Sequence, residues 1–312
     1  MRQDVACENQ PPWRGNSLFQ GVAVQTSPWW PDLRRKEIAE KIVKGWDKLA
    51  EAYQRNTRIS TNDVHYGPLA YGENRLRLLG DPRGKRTLEI GCGGGQNTIA
   101  LARRGAEAFG IDPSRKQIEF ARRLATECDV EATFAVAPAE DLSMFKNECF
   151  DIALSSHAFG YVGDFKKACR EACRVLKQSG LFVLCIGNPF YHILLYNMSE
   201  DKEEGIDDDY LSYPSVERWD WTYEGEPSVP MLGHERTLSQ TINPLLDAGF
   251  VLEQMVEQGV EDVPHMSEKE KPSIPYLCRW SESEFRLARK IPYSIILRLR
   301  KKAQRTRRSQ KR

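Results

Sequence analysis

The stretch Leu88-Glu89-Ile90-Gly91-Cys92-Gly93-Gly94-Gly95-Gln96-Asn97 decides the fold of this chain. A short apolar run ends at Ile90, a glycine-rich segment follows, and a helical pattern begins near Gln96. Glycines let the backbone turn sharply and approach a ligand closely, and the N-terminus of a helix offers free N–H groups. The stretch therefore predicts a ligand-binding loop between the first strand and the first helix of an α/β sheet.

On either side of this loop, short apolar runs alternate with helical patterns. The apolar runs predict strands over 86–90, 108–111, 133–136, 150–154, 181–186, 251–256 and 293–299. The helical patterns predict helices over 96–104, 114–127, 165–177 and 239–248, and an earlier one that begins near Asp32. Asp164 is expected to cap the 165–177 helix and Ser179-Gly180 to close it. Such alternation is typical of βαβ units, so we predict a mostly parallel sheet covered on both faces.

The remaining segments suggest three additions to this α/β domain, which we place at residues 32–301. Residues 1–31 are rich in proline and tryptophan and predict an irregular N-terminal arm. Residues 190–236 interrupt the alternation and predict a substrate lid, in which the alternating run 218–223 forms a strand. Residues 302–312 predict a basic C-terminal tail.

Composition excludes several classes of protein. The 312 residues are 40% hydrophobic and 29% charged, which is typical of a folded globular chain. Nine basic residues and no acid lie between Arg298 and Arg312, so the other 297 residues carry 36 basic and 44 acidic side chains. The eight cysteines show no zinc spacing, and the N-terminus lacks an apolar signal segment. The uncharged run 178–199 is broken by Gly187-Asn188-Pro189, so we expect no membrane span and a cytoplasmic protein.

The polar residues around the loop indicate the ligand. A dinucleotide fingerprint needs a third glycine where this chain has Gln96, and Glu89 would repel a pyrophosphate. Asp112, at the end of the second strand, can accept the hydroxyl hydrogens of a ribose. Ala139-Glu140 follows the third strand, where backbone and polar groups can meet an adenine. These features describe a nucleoside with a zwitterionic amino-acid tail and no phosphate, which is the shape of S-adenosylmethionine (SAM).

With these residues in view, the chain resembles the class I SAM-dependent methyltransferases, in the broad small-molecule group that includes the quinone methyltransferases. The resemblance runs from about Trp46 to Lys301 and rests on the ordered series WDKLAEAY, VHYGPLAYGENRLRLLG, LEIGCGGGQNTIALARRGAEAFGIDPS, APAEDL, FDIALSSHAFGYV, EACRVLKQSG and HERTLSQTINPLLDAGF. It implies a Rossmann-like α/β fold with a seven-stranded sheet, SAM as cofactor, S-adenosylhomocysteine (SAH) as product, and no metal. By this resemblance the cofactor-binding residues are Tyr53, Tyr66, Glu89, Gly91, Gly93, Gly95, Asp112, Ala139, Glu140 and Ser155.

Catalysis by such an enzyme requires alignment of the acceptor with the methyl group and, for a hydroxyl acceptor, removal of its proton. Three of the five histidines lie where the resemblance places the acceptor, and His157, His234 and His192 are therefore the candidate catalytic residues. Some sites of this kind need no base. The aromatic residues expected to line the acceptor pocket are Phe159, Tyr161, Tyr191, Trp219, Trp221 and Tyr223.

The resulting hypothesis is an enzyme that methylates oxygen, nitrogen or carbon of a small, largely apolar acceptor in secondary metabolism. One alternative is a nucleic-acid methyltransferase that uses the basic tail on RNA, although the acidic body disfavours nucleic acid as a partner. Another is a non-catalytic SAM-binding module, and an intact loop with its two acids argues against it. Gln96 and Glu89 argue against a nicotinamide oxidoreductase.

Overall fold

The computed structural model describes residues 32–197, 210–213, 215–223, 225–258, 276 and 282–303. Its helices are α1 (Asp32–Thr57), α2 (Glu73–Leu76), α3 (Gln96–Arg103), α4 (Arg115–Glu127), α5 (Phe165–Val175), α6 (Pro189–Asn197), α7 (Leu238–Asp247) and α8 (Glu282–Ala288). Its strands are β1 (Arg86–Ile90), β2 (Glu107–Asp112), β3 (Thr133–Val136), β4 (Phe150–Ser156), β5 (Leu176–Gly187), β6 (Ser215–Trp221), β7 (Val229–Glu235), β8 (Phe250–Glu257) and β9 (Ser294–Lys301).

Seven strands form one sheet in the order β3-β2-β1-β4-β5-β9-β8. The first five strands in this order are parallel, while β9 runs antiparallel to both β5 and β8. Strands β6 and β7 form a separate antiparallel pair. The predicted seven-stranded, mostly parallel sheet is confirmed, and its parallel strands bring the loops after β1, β2, β4 and β5 to one edge.

The two faces of the sheet are covered by different helices. On β5, Leu184 packs into a cluster that includes Ala168 of α5 and Leu245 of α7. The neighbouring side chain of Val183 points the other way and packs with Leu101 of α3. Adjacent residues on a strand point to opposite faces, so a strand that is apolar throughout is buried on both. The prediction of helices on both faces is therefore confirmed.

Most predicted strands and helices agree with the structure to within two residues, but the junction of α5 with β5 was predicted wrongly. The helix ends at Val175, and β5 begins at Leu176 instead of residue 181. Leu176 adopts an extended backbone and pairs with Phe150, and the register shifts before the next pair. Ser179-Gly180 thus lies inside β5 at an irregularity and does not close the helix. The predicted cap is correct, because the Asp164 carboxylate accepts the Lys167 N–H.

The 190–236 segment contains most of α6 and the β6–β7 hairpin, while residues 198–209 lie outside the described part. Burial alternates along β6 as predicted, with Arg218 and Asp220 exposed, Trp219 half-buried and Trp221 buried. The 1–31 arm also lies outside the described residues, as do residues 304–312 of the basic tail. In the part of the chain that is described, no helix is long and apolar enough to cross a bilayer.

Candidate active site

The glycine loop, residues 91–95, joins β1 to α3 at the carboxyl edge of the sheet. Gly91, Gly93 and Gly95 all have positive φ angles, which glycine adopts at little cost. A Cβ atom on Gly91 would lie 2.1 Å from the Ala158 Cβ, so no side chain fits there. Around Gly93, in contrast, the nearest atoms would be 3.9 Å from such a Cβ. The loop therefore packs tightly at Gly91 and has room for a ligand at Gly93.

Two carboxylates lie beside this loop, the half-buried Asp112 and the buried Glu89. Asp112 accepts the Gly93 N–H at 3.0 Å and the Ser114 N–H at 2.9 Å, and burial raises its pKa to about 6 despite these donors. Glu89 accepts the backbone N–H and the hydroxyl of Thr98, at 2.9 and 2.6 Å, and burial raises its pKa to about 7. Bound cationic groups would stabilise the ionised forms of both acids. The site thus suits a ligand with positive charge and hydroxyl donors, which fits SAM and not a pyrophosphate.

A cluster of three buried glutamines closes over the glycine loop. The Gln54 amide, on α1, donates to Gln117 Oε1 at 2.7 Å and accepts from Gln96 Nε2 at 2.5 Å. Asp47, two turns earlier on α1, accepts the Ser114 hydroxyl at 2.6 Å. These bonds hold α1 against the loops that follow β1 and β2. Sequence reasoning used Gln96 only to exclude a dinucleotide and missed Gln54, although it directly follows Tyr53.

Several predicted cofactor residues have partners within the chain. The Glu140 carboxylate accepts the Gly163 N–H at 3.1 Å, and the buried Ser155 hydroxyl donates to the Ile90 carbonyl at 2.7 Å. Tyr66 lies in the core and donates its hydroxyl to the Glu73 carboxylate. Ala139 is buried near the start of the predicted adenine segment. The roles of these four residues toward the cofactor stay predictions.

An aromatic cluster lies between α1 and the β6–β7 hairpin; it consists of Trp46, Tyr53, Tyr161, Trp219, Trp221 and Tyr223. The Trp46 ring lies 5.1 Å from Tyr161 and 5.6 Å from Trp221, and Tyr53 lies 5.7 Å from Trp221, all edge-on. Edge-on contacts of this length are favourable for aromatic pairs. Four of the six residues predicted for the acceptor pocket, Tyr161, Trp219, Trp221 and Tyr223, therefore lie together.

The other two predicted pocket residues lie elsewhere. Phe159 is fully buried in the main core, where its ring contacts Phe165 and Phe182. Tyr191 is fully buried beside α8 and donates its hydroxyl to the Glu284 carbonyl at 3.0 Å. The structure does not bring either residue to the aromatic cluster. Tyr276, which the sequence did not suggest, does contact the cluster, because its hydroxyl hydrogen-bonds to that of Tyr53 at 2.8 Å.

The three candidate histidines have different surroundings. His157 has a positive φ angle, hydrogen-bonds through Nε2 to the Ser294 hydroxyl at 2.9 Å and stacks on Tyr293. Burial lowers its pKa to about 3, so it is neutral at physiological pH. His234 lies on β7, with its buried Nε2 lacking a hydrogen-bond partner among the described residues, and burial lowers its pKa to about 3. Neither ring carries charge near pH 7.

His192 differs because it has an acidic partner. Its Nδ1 lies 3.1 Å from Glu235 Oε1, at the end of β7. Burial alone would lower the pKa of His192, but the Glu235 carboxylate outweighs burial and raises it. The pKa of Glu235 falls in turn: burial opposes ionisation, and the His192 charge and hydrogen bond outweigh it. Glu235 was missed in the sequence, although it directly follows His234.

Comparisons with known proteins indicate a methyltransferase domain. A model described as a methyltransferase domain matches residues 88–184. A ubiquinone biosynthesis O-methyltransferase of Mesorhizobium japonicum is 33% identical over 169 residues, which cover 51% of this chain and 67% of that protein. An uncharacterised protein of Haemophilus influenzae is 28% identical over 70% of this chain and 86% of its own length.

A solved structure shares the fold. The SAM-dependent methyltransferase from Mesorhizobium loti superimposes with a TM-score of 0.50 and 23% identity, over 72% of this chain and 94% of that one. Among the described residues, no group of three or more His, Cys, Asp or Glu side chains could hold a metal ion. The predictions of a methyltransferase and of SAM as cofactor are confirmed. The chain belongs to the class I SAM-dependent methyltransferases.

Proposed function

We propose that this enzyme transfers the methyl group of SAM to a ring hydroxyl of a small, largely apolar acceptor. One observation carries the proposal: two consecutive residues of α1 connect the cofactor loop with the aromatic cluster. Gln54 bonds to Gln96 beside the glycine loop, while Tyr53 lies against Trp221 in the aromatic cluster. An acceptor held by the aromatic cluster would therefore lie next to the cofactor. The apolar part of the acceptor would pack against the aromatic rings in place of some of the contacts that the rings make with one another.

The named relatives support a hydroxyl on a substituted ring. The relative of Mesorhizobium japonicum is named for O-methylation in ubiquinone biosynthesis, and a second one from Chelativorans sp. is 36% identical over 66% of its length. We extend only the chemical class to this chain, a phenol, catechol or hydroquinone with an apolar substituent. A place in secondary metabolism stays a prediction.

The chain's own residues would divide the work of binding as follows. Bound SAM supplies an electrophilic methyl group on a sulfonium centre. Asp112 would accept the ribose hydroxyls, and Glu89 would face the ammonium of the methionine part. Ala139 and Glu140 would border the adenine ring, and Gln54 would close α1 over the loop. Because the leaving thioether needs no proton, the enzyme has to align the acceptor and remove only the acceptor's proton.

The nucleic-acid alternative finds less support. Its motivation is the basic segment that begins at Arg298, but the first residues of that segment are engaged within the chain. Arg298 and Arg300 both bond to Glu253, the latter at 2.9 Å, and Lys301 donates to the Leu176 carbonyl at 2.7 Å. Side chains already paired with acids and carbonyls are poorly placed to neutralise phosphates.

We also propose that the enzyme acts in the cytosol. The six cysteines within the described residues are all free of disulfide bonds. Free buried thiols are typical of proteins in reducing compartments. Separation of a cell lysate into cytosolic and membrane fractions would test this placement.

The experiment that tests the proposed function is a methylation assay with purified enzyme, SAM and a panel of acceptors. The panel contains 4-alkylcatechols, alkylhydroquinones, their methyl ethers as matched controls without a free hydroxyl, and a short single-stranded RNA. We expect a gain of one methyl group, detected by mass spectrometry, on the free hydroxyl compounds alone. Methylation of the RNA, or of the ethers as readily as the free phenols, would overturn the proposal.

A further inference from the structure

Beyond the glycine loop, a second group of polar side chains lies along the same edge of the sheet. It comprises His192 on α6, Glu235 at the end of β7, and Tyr293 just before β9. His192 and Glu235 are hydrogen-bonded at 3.1 Å, and the Tyr293 ring centre lies 5.7 Å from the His192 ring and 5.6 Å from that of His157. None of the predicted cofactor contacts involves these three residues.

The position of this group relative to the cofactor loop follows from the strand order. Gly91 follows β1 and touches Ala158, which follows β4, and β5 pairs with β4 on the other side. The His192 ring lies over the end of β5, because a Cβ on Gly187 would be 3.4 Å from its Nε2. Two strand spacings, roughly 10 Å, therefore separate the loop from His192 along the edge where open α/β sheets bind ligands.

The three candidate histidines differ in what their rings contact, and strand β7 accounts for the difference between His192 and His234. Adjacent residues on a strand point to opposite sides. Glu235 accordingly faces His192, whereas His234 faces Gly163, where a Cβ would lie 3.8 Å from its Nε2. His157 uses its Nε2 on Ser294. Within the described residues, His192 is the one of the three whose Nδ1 is hydrogen-bonded to a carboxylate, and its Nε2 lies toward the end of β5.

We propose that His192 is the general base of this methyltransferase and that Glu235 is the positioning residue that fixes its tautomer and its basicity. The proposal rests on the proposed function, since only a hydroxyl or another protonated acceptor needs a base. The Glu235 carboxylate accepts the Nδ1 hydrogen, which leaves the Nε2 lone pair to accept a proton. A carboxylate in this place also stabilises the imidazolium that forms during the reaction.

The transfer balances without any further reactant. The acceptor oxygen forms a bond to the methyl carbon while the carbon–sulfur bond breaks and its electron pair stays on sulfur, which gives SAH. The hydroxyl proton moves to His192 Nε2. The positive charge of the sulfonium is thus replaced by that of the imidazolium, and proton release to water completes the cycle.

The charged and titratable groups that face the pair determine how it titrates. Glu235 and Glu217, on β7 and β6, favour the charged imidazole, whereas burial opposes it. Arg236, which directly follows Glu235 at the end of β7, favours the ionised carboxylate, whereas His234 is neutral near pH 7. His157 is neutral, and Tyr293 contacts the ring of His192. The acids prevail, so we expect turnover to rise with pH through a value above 6.5, as His192 loses its proton.

The test combines a titration with a rate profile. The pKa of His192 is measured by NMR on histidine-labelled enzyme saturated with SAH, and its signal is assigned by its loss in His192→Gln. The pH dependence of kcat is measured with SAM and a 4-alkylcatechol. We expect Glu235→Gln to lower the His192 pKa, to move the rising limb of kcat to lower pH and to reduce maximal kcat at least roughly tenfold. His192→Gln should reduce kcat about a hundredfold or more.

Two variants serve as controls. Glu217→Gln removes a second acid whose charge raises the pKa of His192 less than Glu235 does, and it should shift the rising limb of kcat less than Glu235→Gln does. Glu235→Asp keeps the charge one methylene further away and should restore part of kcat. All variants should bind SAH within about twofold of the wild type by calorimetry.

Distinct outcomes overturn the two proposals. An unchanged His192 pKa or an unchanged kcat profile in Glu235→Gln, with the catechol still methylated, would overturn the base assignment and leave the proposed function standing. Methylation of the catechol hydroxyl at an undiminished kcat in His192→Gln would do the same. SAH binding without methylation of any hydroxyl compound would overturn the hydroxyl acceptor and, with it, the need for this base.

Discussion

The side-chain amide of Gln54 fills the space that a Cβ atom on Gly94 would need. Such an atom would lie 2.4 Å from Gln54 Nε2, although Gly94 does not have the positive φ angle of its neighbours. The glycine at this position therefore leaves room for α1, while Gly93 and Gly95 serve the turn itself. This contact can be tested without straining the backbone.

Gly94→Ala should displace Gln54 and loosen the glutamine cluster. Overpacking in a tight site costs typically 1–3 kcal/mol, so we expect urea unfolding to show a loss of about that size and SAH affinity to fall several-fold. The double variant with Gln54→Ala removes the clash and should recover the stability lost through crowding. Equal losses in the single and the double variant would show that Gln54 is not the obstacle.

Asp112→Asn should weaken SAM and SAH binding at least tenfold. Charge-assisted hydrogen bonds to ribose hydroxyls contribute roughly 1.5–3 kcal/mol each, and an amide replaces them poorly. Calorimetry with SAH measures the loss. Asp112 also accepts the Gly93 and Ser114 N–H groups, so circular dichroism of the variant should be measured to check that the loop still folds. Asp129→Asn, at an exposed position, is the matched control. Unchanged affinity would contradict the assignment.

Glu89→Gln should stabilise the unliganded enzyme at high pH while weakening cofactor binding. Burial raises the pKa of Glu89 from its ordinary value of 4.5 to about 7, so the folded state holds this proton more tightly than the unfolded state. The tighter binding of the Glu89 proton adds to the free energy of unfolding below about pH 4.5, and this added stability is lost as pH rises through 7. Gln cannot titrate, so urea unfolding at pH 8 should favour the variant by up to roughly 3 kcal/mol.

The difference between wild type and Glu89→Gln should disappear at pH 4.5, where the native carboxyl is already protonated. SAM affinity of the wild type should rise with pH through about 7, because only the ionised acid attracts an ammonium group. A stability difference that does not depend on pH would contradict this account.

Trp221→Leu should raise the KM for the acceptor much more than the KM for SAM. Trp221 is buried between α1 and β7, so loss of its ring removes apolar surface from the aromatic cluster and leaves the glycine loop unchanged. Loss of a large aromatic contact corresponds to about 1–3 kcal/mol of acceptor binding. Steady-state kinetics with a 4-alkylcatechol tests this, and a variant that changes SAM affinity alone would exclude the cluster as the acceptor wall.

The parts of the fold that follow from local sequence were predicted well. A glycine run between an apolar strand and a helix needs only neighbouring residues to be recognised. The end of α5 was missed because the extended backbone at Leu176 comes from pairing with Phe150 on another strand. Pairing of this kind is not visible in a local window.

In the candidate site, too, residues near the glycine loop in sequence could be predicted, whereas contacts between residues far apart in the chain could not. Asp112 is recognisable from its distance to the loop, but the meaning of each histidine depends on partners far along the chain. His157 is 137 residues from Ser294 and His192 is 43 residues from Glu235. Gln54 lies 42 residues before Gln96. The sequence suggested three histidines, and only the fold shows that the His192 ring is hydrogen-bonded to an acid.

If SAM and the acceptor bind as proposed, helix α1 couples the exchange of the cofactor to that of the acceptor. Tyr53 and Gln54 are consecutive, so a movement of α1 that uncovers the glycine loop also withdraws a wall from the aromatic cluster. SAH and the methylated product would then leave during the same movement of α1. We expect the rate of that movement to set an upper limit on turnover, however fast the methyl group is transferred.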